Sequence, residues 1–215
     1  MKKISILATV LTVLMTFGFA GANERQGDNG RTLLQTPNTP YVVGEWFLDN
    51  VSTDTPPVTT KDTQFIFINP SSHQEYNEYA FFDQDGNFCG CDRDVKAPDA
   101  RIRYTMSDEA AGGQFACTGK VAGFPTATEG TMKSIAFRVN ADHSINFLGA
   151  TQTGHQVHFN VSGGASSNSN NTESDLTPVP IVSGSTLNEM HNIHNACVSF
   201  CNKFGLCPPL SQTTP

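Results

Sequence analysis

Apolar residues in this chain come in short runs separated by Gly, Pro, Asn and Asp, and most of the runs read with the period of a strand. Tyr41 to Leu48, carrying Val42, Val43, Trp46 and Phe47, predicts a first strand. Val51 to Asp62 is rich in Thr and Pro and predicts a loop. Phe65-Ile66-Phe67-Ile68 is apolar on both faces, as a central sandwich strand is, and Asn69-Pro70-Ser71-Ser72 ends it as a turn. Tyr76 to Asp83 and Asn87 to Asp92 predict a hairpin at Asp85-Gly86, because a tight turn needs positive φ at its centre. From Arg101 to Met106, Ile102, Tyr104 and Met106 alternate with Arg101, Arg103 and Thr105, the pattern of a half-buried strand. Ser107 to Gly113 predicts one helical turn capped by Ser107. Gln114 to Thr118, Met132 to Val139, Ser144 to Gly149 and His155 to Val161 predict further short strands.

The pattern changes after residue 161. Ser162 to Thr177 is low in complexity and predicts a flexible linker. Thr186-Leu187-Asn188-Glu189 has the form of a capping box, opening a helix from Leu187 to Phe204 that Gly205 terminates. Pro208-Pro209 prevents continuation. The fold class expected is mainly β: an antiparallel β-sandwich over 41–161, a linker over 162–177, and a C-terminal segment over 178–215 whose α-helix packs on the sandwich.

The N-terminus changes how the rest is read. Lys2-Lys3, the apolar run from Ile4 to Phe19 and Ala20-Gly21-Ala22 predict a secretory signal peptide over 1–22, with cleavage before Asn23. Residues 23–40 are polar except for Leu33 and Leu34 and predict a flexible arm. A strand-like piece at Leu33-Leu34 could add to a neighbouring subunit's sheet edge. Of the 215 residues about 193 would remain after cleavage, enough for one domain. Without Lys2 and Lys3, eleven basic residues face twenty acidic ones, a net charge of about −9. So acidic a chain, with no basic cluster, argues against nucleic acid or an anionic membrane surface as partner. No second apolar stretch approaches the ~18 residues of a membrane span.

The segment Phe67 to Arg93 strings together Asn69-Pro70-Ser71, Tyr79-Ala80-Phe81-Phe82, Asp85-Gly86-Asn87-Phe88 and Cys89-Gly90-Cys91. It resembles β-rich domains in uncharacterised secreted proteins of environmental bacteria, over roughly residues 41–160. The resemblance implies the fold and export; it implies no activity, and no functional residue is carried over from it.

Six cysteines, Cys89, Cys91, Cys117, Cys197, Cys201 and Cys207, in an exported chain predict up to three disulfides, with fifteen possible connectivities. Cys89 and Cys91 are two apart on a strand and are expected on one side of the sheet. The expected pairing joins one of them to Cys117 and the other to Cys197, fixing the helix to the sandwich, with Cys201 joined to Cys207. The alternative use is a metal site. At 100° per residue, His194, Cys197 and Cys201 fall within about 60° of one another on the helix, with His191 at the margin, and thiolate and imidazole suit Zn²⁺ or Cu(I). On the other reading, Leu187, Met190, His194, Cys197, Val198, Cys201 and Phe204 are simply its core-facing stripe.

Other pairs are weaker. His155 and His158, three apart on a strand, point to opposite faces. Asp83, Asp85 and Asn87 open like a calcium loop, but the glycine falls at position 4 rather than 6 and no Glu stands at position 12. No hydrolase nucleophile elbow, zinc-protease helix, phosphate loop, dinucleotide fingerprint or haem attachment motif is present, and no cofactor is expected. Carboxylates (Glu45, Glu75, Glu78, Asp92, Asp94, Asp108, Glu109) are plentiful enough for a glycosidase pair, whose spacing is a tertiary property. Trp46, Tyr41, Tyr76, Tyr79 and Tyr104 are the candidate sugar-stacking aromatics. The function expected is an exported non-catalytic module with a structural or binding role and a protein or glycan partner. The alternatives are a Zn/Cu-binding protein and a secreted hydrolase.

Overall fold

The computed structural model describes residues 39–48, 61–160, 171–181 and 183–206. The expected signal peptide, the N-terminal arm to residue 38, the Thr/Pro loop up to residue 60, most of the linker and Cys207 lie outside the described residues; Lys61 and Asp62, expected in that loop, begin a strand instead.

Two antiparallel sheets form the domain, as the strand pattern requires. The larger runs β10-β1-β6-β3-β4, with β7 beside β6; the smaller runs β5-β2-β8-β9. In chain order the strands are β1 Tyr41–Phe47, β2 Lys61–Ile68, β3 Glu75–Asp83, β4 Phe88–Lys96, β5 Arg101–Thr105, β6 Glu129–Val139, β7 Ile145–Asn146, β8 Thr153–Asn160, β9 Thr172–Asp175 and β10 Thr177–Pro178. Helix α1 (Met106–Gly112) follows β5, and α2 (Gly184–Phe204) closes the described chain.

Alternation along each strand builds two cores, one on either side of the larger sheet. Val42 and Trp46 of β1, Phe65 and Phe67 of β2, Tyr79 and Phe81 of β3 and Met132 of β6 pack with Met106, Phe115 and Leu176 between the sheets. Tyr41, Tyr76, Ala80, Ile135 and Phe137 face the other way and pack with Phe147 against Met190, Ile193, Cys197 and Phe200 of α2. The order of layers is therefore helix, larger sheet, smaller sheet. Trp46, 0 % exposed, keeps its indole N–H satisfied by donating to the Phe82 carbonyl at 3.0 Å.

Several expectations need correction. Gln114 to Thr118 forms no strand; it makes two isolated bridges, Gly90–Phe115 and Thr118–Thr126. The first helical turn is capped by Thr105, whose hydroxyl accepts from the Asp108 amide, not by Ser107; the Ser107 amide and hydroxyl donate to the Asp62 carboxylate instead. The linker expected over 162–177 includes β9, which pairs with β8, so backbone pairing overrides composition there. The capping box at Thr186 does not form, because α2 starts earlier, with Ser183 at its N-cap, and Glu189 is drawn to Lys133 and Tyr41. Gly205 ends α2 as expected, with φ 67° and its amide donating to the Cys201 carbonyl at 2.7 Å.

Candidate functional site

The hairpin from β3 to β4 positions most of the chemistry. Gly86 takes φ 82° in the turn, and the Asp83 carboxylate accepts from the amides of Asp85 and Asn87 and from the Asn87 side chain. These bonds hold the Asp83 carboxyl below the usual range despite opposing desolvation. The calcium-like run is a turn whose carboxylate is already used.

The return strand carries a bulge. Phe81 pairs with Gly90, but Phe82 pairs with Phe88, so Cys89 is an extra residue in the ladder. Gly90 sits at φ 147°, and a Cβ there would meet the Gln114 carbonyl oxygen at 2.0 Å. The bulge flips the alternation, and the expectation that Cys89 and Cys91 share one face is overturned. Cys89 points between the sheets and bonds Cys117; Cys91 points to the helix side and bonds Cys197. The pairing itself is the expected one. Cys201 is disulfide-bonded too, and no described cysteine is free; its expected partner Cys207 lies outside the described residues.

This decides what the helix residues do. The sulfurs of Cys197 and Cys201 are held in disulfides, so the proposed thiolate ligands are not available to a metal, and no cluster of metal-ligating residues occurs among the described residues. His194 faces the sheet, with Nδ1 3.0 Å from the Glu78 carboxylate, while His191 is exposed apart from an edge contact with Phe147. Glu78 is 0 % exposed and also accepts from Arg93 through Nε at 2.9 Å and an NH2 nitrogen at 2.6 Å. Glu189 accepts from Lys133 at 2.6 Å and from the Tyr41 hydroxyl at 3.0 Å. A disulfide, a buried Arg–Glu–His group and an outer Lys–Glu–Tyr group thus fasten α2 to the sheet. The buried stripe is Met190, Ile193, Cys197, Phe200 and Cys201. Ile193 and Phe200 were missing from the expected stripe.

On the other face of the same hairpin lies a polar strip, shut between the sheets. Alternation places Glu75, Asn77 and Tyr79 of β3 beside Lys96, Asp94 and Asp92 of β4, in the cross-strand pairs Glu75–Lys96, Asn77–Asp94 and Tyr79–Asp92. Phe67 of β2 and Tyr104 of β5 close over them: ring centroids are 4.5 Å apart for Phe67–Tyr79 and 4.6 Å for Tyr79–Tyr104. Tyr104 donates its hydroxyl to Asp94 at 3.1 Å. Lys96 is 0 % exposed, with Nζ 5.3 Å from the centre of the Phe67 ring. Glu109 of α1 closes one end, 6 % exposed.

Burial dominates the electrostatics of this strip. It pushes the Glu109 carboxyl up to about 8, helped by the charges of Asp92 and Asp108, and Asp92 up to about 6. It pushes the Lys96 ammonium down to about 7 against the pull of Glu75 and Asp94. Glu75 is raised by burial as well, although the Thr151 amide donates to it. Burial thus shifts Glu109 and Lys96 toward their neutral forms, the forms that proton transfer and acyl chemistry use.

The remaining candidates are spent on structure. His158 is half-buried, 2.9 Å from the Thr63 hydroxyl and 3.2 Å from the Gln156 side chain, with its pKa lowered by burial; His155 is buried on the opposite face of β8. Glu45 and Asp108 are exposed. Trp46, Tyr41, Tyr76 and Tyr79 are buried and Tyr104 is half-buried, so none offers an open stacking face.

No family model matches this chain and no curated protein resembles it. Two solved structures are distantly similar. One is a Thermotoga maritima protein designated 1070, at 7 % identity and a TM-score of 0.40, covering 66 % of this chain and 93 % of that one. The other is FlgD of Xanthomonas campestris, a hook-capping protein of flagellar assembly, at 10 % identity and a TM-score of 0.31, covering 66 % and 84 %. Likeness at this level carries no argument about function.

Proposed function

We propose that this chain is an exported, non-catalytic β-sandwich module with a structural or binding role outside the cytoplasm. The observation that carries the reading is the use made of its reactive groups: two disulfides link β4 to opposite sides of the larger sheet, and the polar clusters hold elements together. Disulfides persist in oxidising compartments, which agrees with the signal-like N-terminus. No described helix is long and apolar enough to cross a membrane. A hydrolase would draw on carboxyls that burial raises, such as Asp92 and Glu109. The burial that tunes Glu109 also withholds it from a substrate. A zinc or copper role would need thiolates that the disulfides occupy.

The test offers the purified exported protein to isolated cell-envelope polysaccharide and to proteins of the culture medium, and assays it beside Glu109→Gln on chromogenic glycosides and esters. Saturable binding with no turnover is expected. Turnover that Glu109→Gln abolishes would overturn the proposal in favour of a hydrolase.

A further inference from the structure

The strip between the sheets contains three groups that are incomplete as they stand. Lys96 Nζ, Glu75 Oε2 and Asn77 Oδ1 are all buried, and none has a hydrogen-bond partner. All three residues are 0 % exposed. A buried ammonium without a partner costs several kcal/mol, so its retention asks for a reason. Glu75 and Asp94 pull on the ammonium, but neither takes a hydrogen bond from Nζ.

The register brings the three together. Glu75 is directly opposite Lys96, and Asn77 is the next residue of β3 on that face, diagonal to Lys96. Diagonal neighbours lie ~7–8 Å apart at Cα, within reach of a lysine and an asparagine side chain. Lys96 Nζ lies over Phe67, whose ring packs on Tyr79, the residue after Asn77 on the same face. Asn77 is held from its other side, donating Nδ2 to the Gln152 side chain at 3.1 Å, and Gln152 is itself fixed by Ser134 and the Pro40 carbonyl.

We infer that Lys96 and Asn77 condense into an intramolecular isopeptide bond, with Glu75 as the proton carrier, and that the mature protein holds this cross-link between β3 and β4. The free amine of Lys96 attacks Asn77 Cγ and the Nζ–Cγ bond forms. Glu75 in its acid form gives a proton to Nδ2 and takes one from Nζ. The Cγ–Nδ2 bond then breaks, ammonia leaves and Glu75 returns to its starting form. Nothing is oxidised or reduced and no external reagent enters. Burial moves both groups toward the forms the step uses, lowering Lys96 to about 7 and raising Glu75. An amide also replaces a buried charge by a neutral group.

The test is the mass of the full-length exported protein after reduction and alkylation, with a tryptic map. The expected wild-type mass lies one ammonia, about 17 Da, below that of its sequence. Trypsin will not cut after Lys96, and the peptide 94–101 will be found joined to the peptide 62–93. Glu75→Gln is expected at full mass and cut after Lys96, and a separate non-reduced map of it should still show the Cys91–Cys197 linked peptide, its sign of folding. A wild type at full mass and cut after Lys96 would overturn the inference. So would a loss of water mapped to Lys96 with Glu75 or Asp94, and a Glu75→Gln chain still joined would remove Glu75 from the mechanism.

Discussion

Removing the bond between β4 and α2 tests how the helix is held. In Cys91→Ala/Cys197→Ala the hydrophobic stripe of α2 stays and only the link is lost. The bond closes a loop of 106 residues, for which the chain-entropy relation gives about 4.7 kcal/mol. The Cys89–Cys117 bond already offers a shorter path of about 82 residues, which lowers that figure by only about 0.2 kcal/mol. Both sulfurs are fully buried, so their loss leaves a small void and the total should be about 4–5 kcal/mol. At a urea slope of ~2 kcal/mol/M the midpoint should fall by about 2 M. The assay is urea unfolding of both proteins by circular dichroism, with α2 followed by hydrogen exchange. A midpoint shift below ~0.5 M at unchanged slope would refute the reasoning. The polar groups and apolar stripe would then hold α2 without the covalent link.

Three further outcomes follow from the same geometry. Glu78→Gln leaves Arg93 buried without its carboxylate and should cost about 3–5 kcal/mol, read as a fall in thermal midpoint; an unchanged midpoint would mean the group is solvated in solution. Gly90→Ala forces a side chain against the Gln114 carbonyl at positive φ and should cost about 2–4 kcal/mol, read by urea unfolding and by loss of the Cys89–Cys117 linked peptide. The acids between the sheets set a pH dependence. Glu109 and Asp92 titrate higher folded than unfolded, so the native state binds the extra protons and their stabilisation is present at low pH and lost as pH rises, through about 6 for Asp92 and about 8 for Glu109. Each group contributes a slope of at most about 1.4 kcal/mol per pH unit. Urea midpoints from pH 4.5 to 8 should therefore fall, and Glu109→Gln should flatten the decline above pH 6; a rising wild-type curve would contradict the assignment. A free Lys96 would add stability between about pH 7 and 10.5, whereas one joined to Asn77 would not titrate.

How much of this was legible in the sequence follows from how local each signal is. The apolar runs of β1, β2 and β3, the alternation of β5 and the Asp85-Gly86 turn were readable because each needs only neighbouring residues. The Cys89–Cys117 and Cys91–Cys197 pairings follow from an oxidising compartment and the need to attach the helix, although the bulge at Cys89 removes the shared face expected for the two β4 cysteines. The bulge at Cys89-Gly90 depends on Gln114 coming close to Gly90, a contact between distant residues that no periodicity reports. The Glu78–His194 and Glu189–Lys133 links were missed for the same reason. In the polar strip, Lys96 carried no signal at all: in sequence it sits between Val95 and Ala97 near a turn and looks like a solvated lysine. Only its register opposite Glu75 shows it to be interior. The capping box at Thr186 was a true local motif that the tertiary pull on Glu189 overrode.

The central claim is an exported chain whose reactive groups serve as staples. It is tested most directly by a non-reducing peptide map of the protein recovered from outside the cytoplasm of producing cells. The account predicts a chain beginning at Asn23, no free thiol, and linked peptides joining Cys89 to Cys117 and Cys91 to Cys197. A chain retained in the cytoplasm with Met1 in place and free thiols at Cys91 and Cys197 would contradict it.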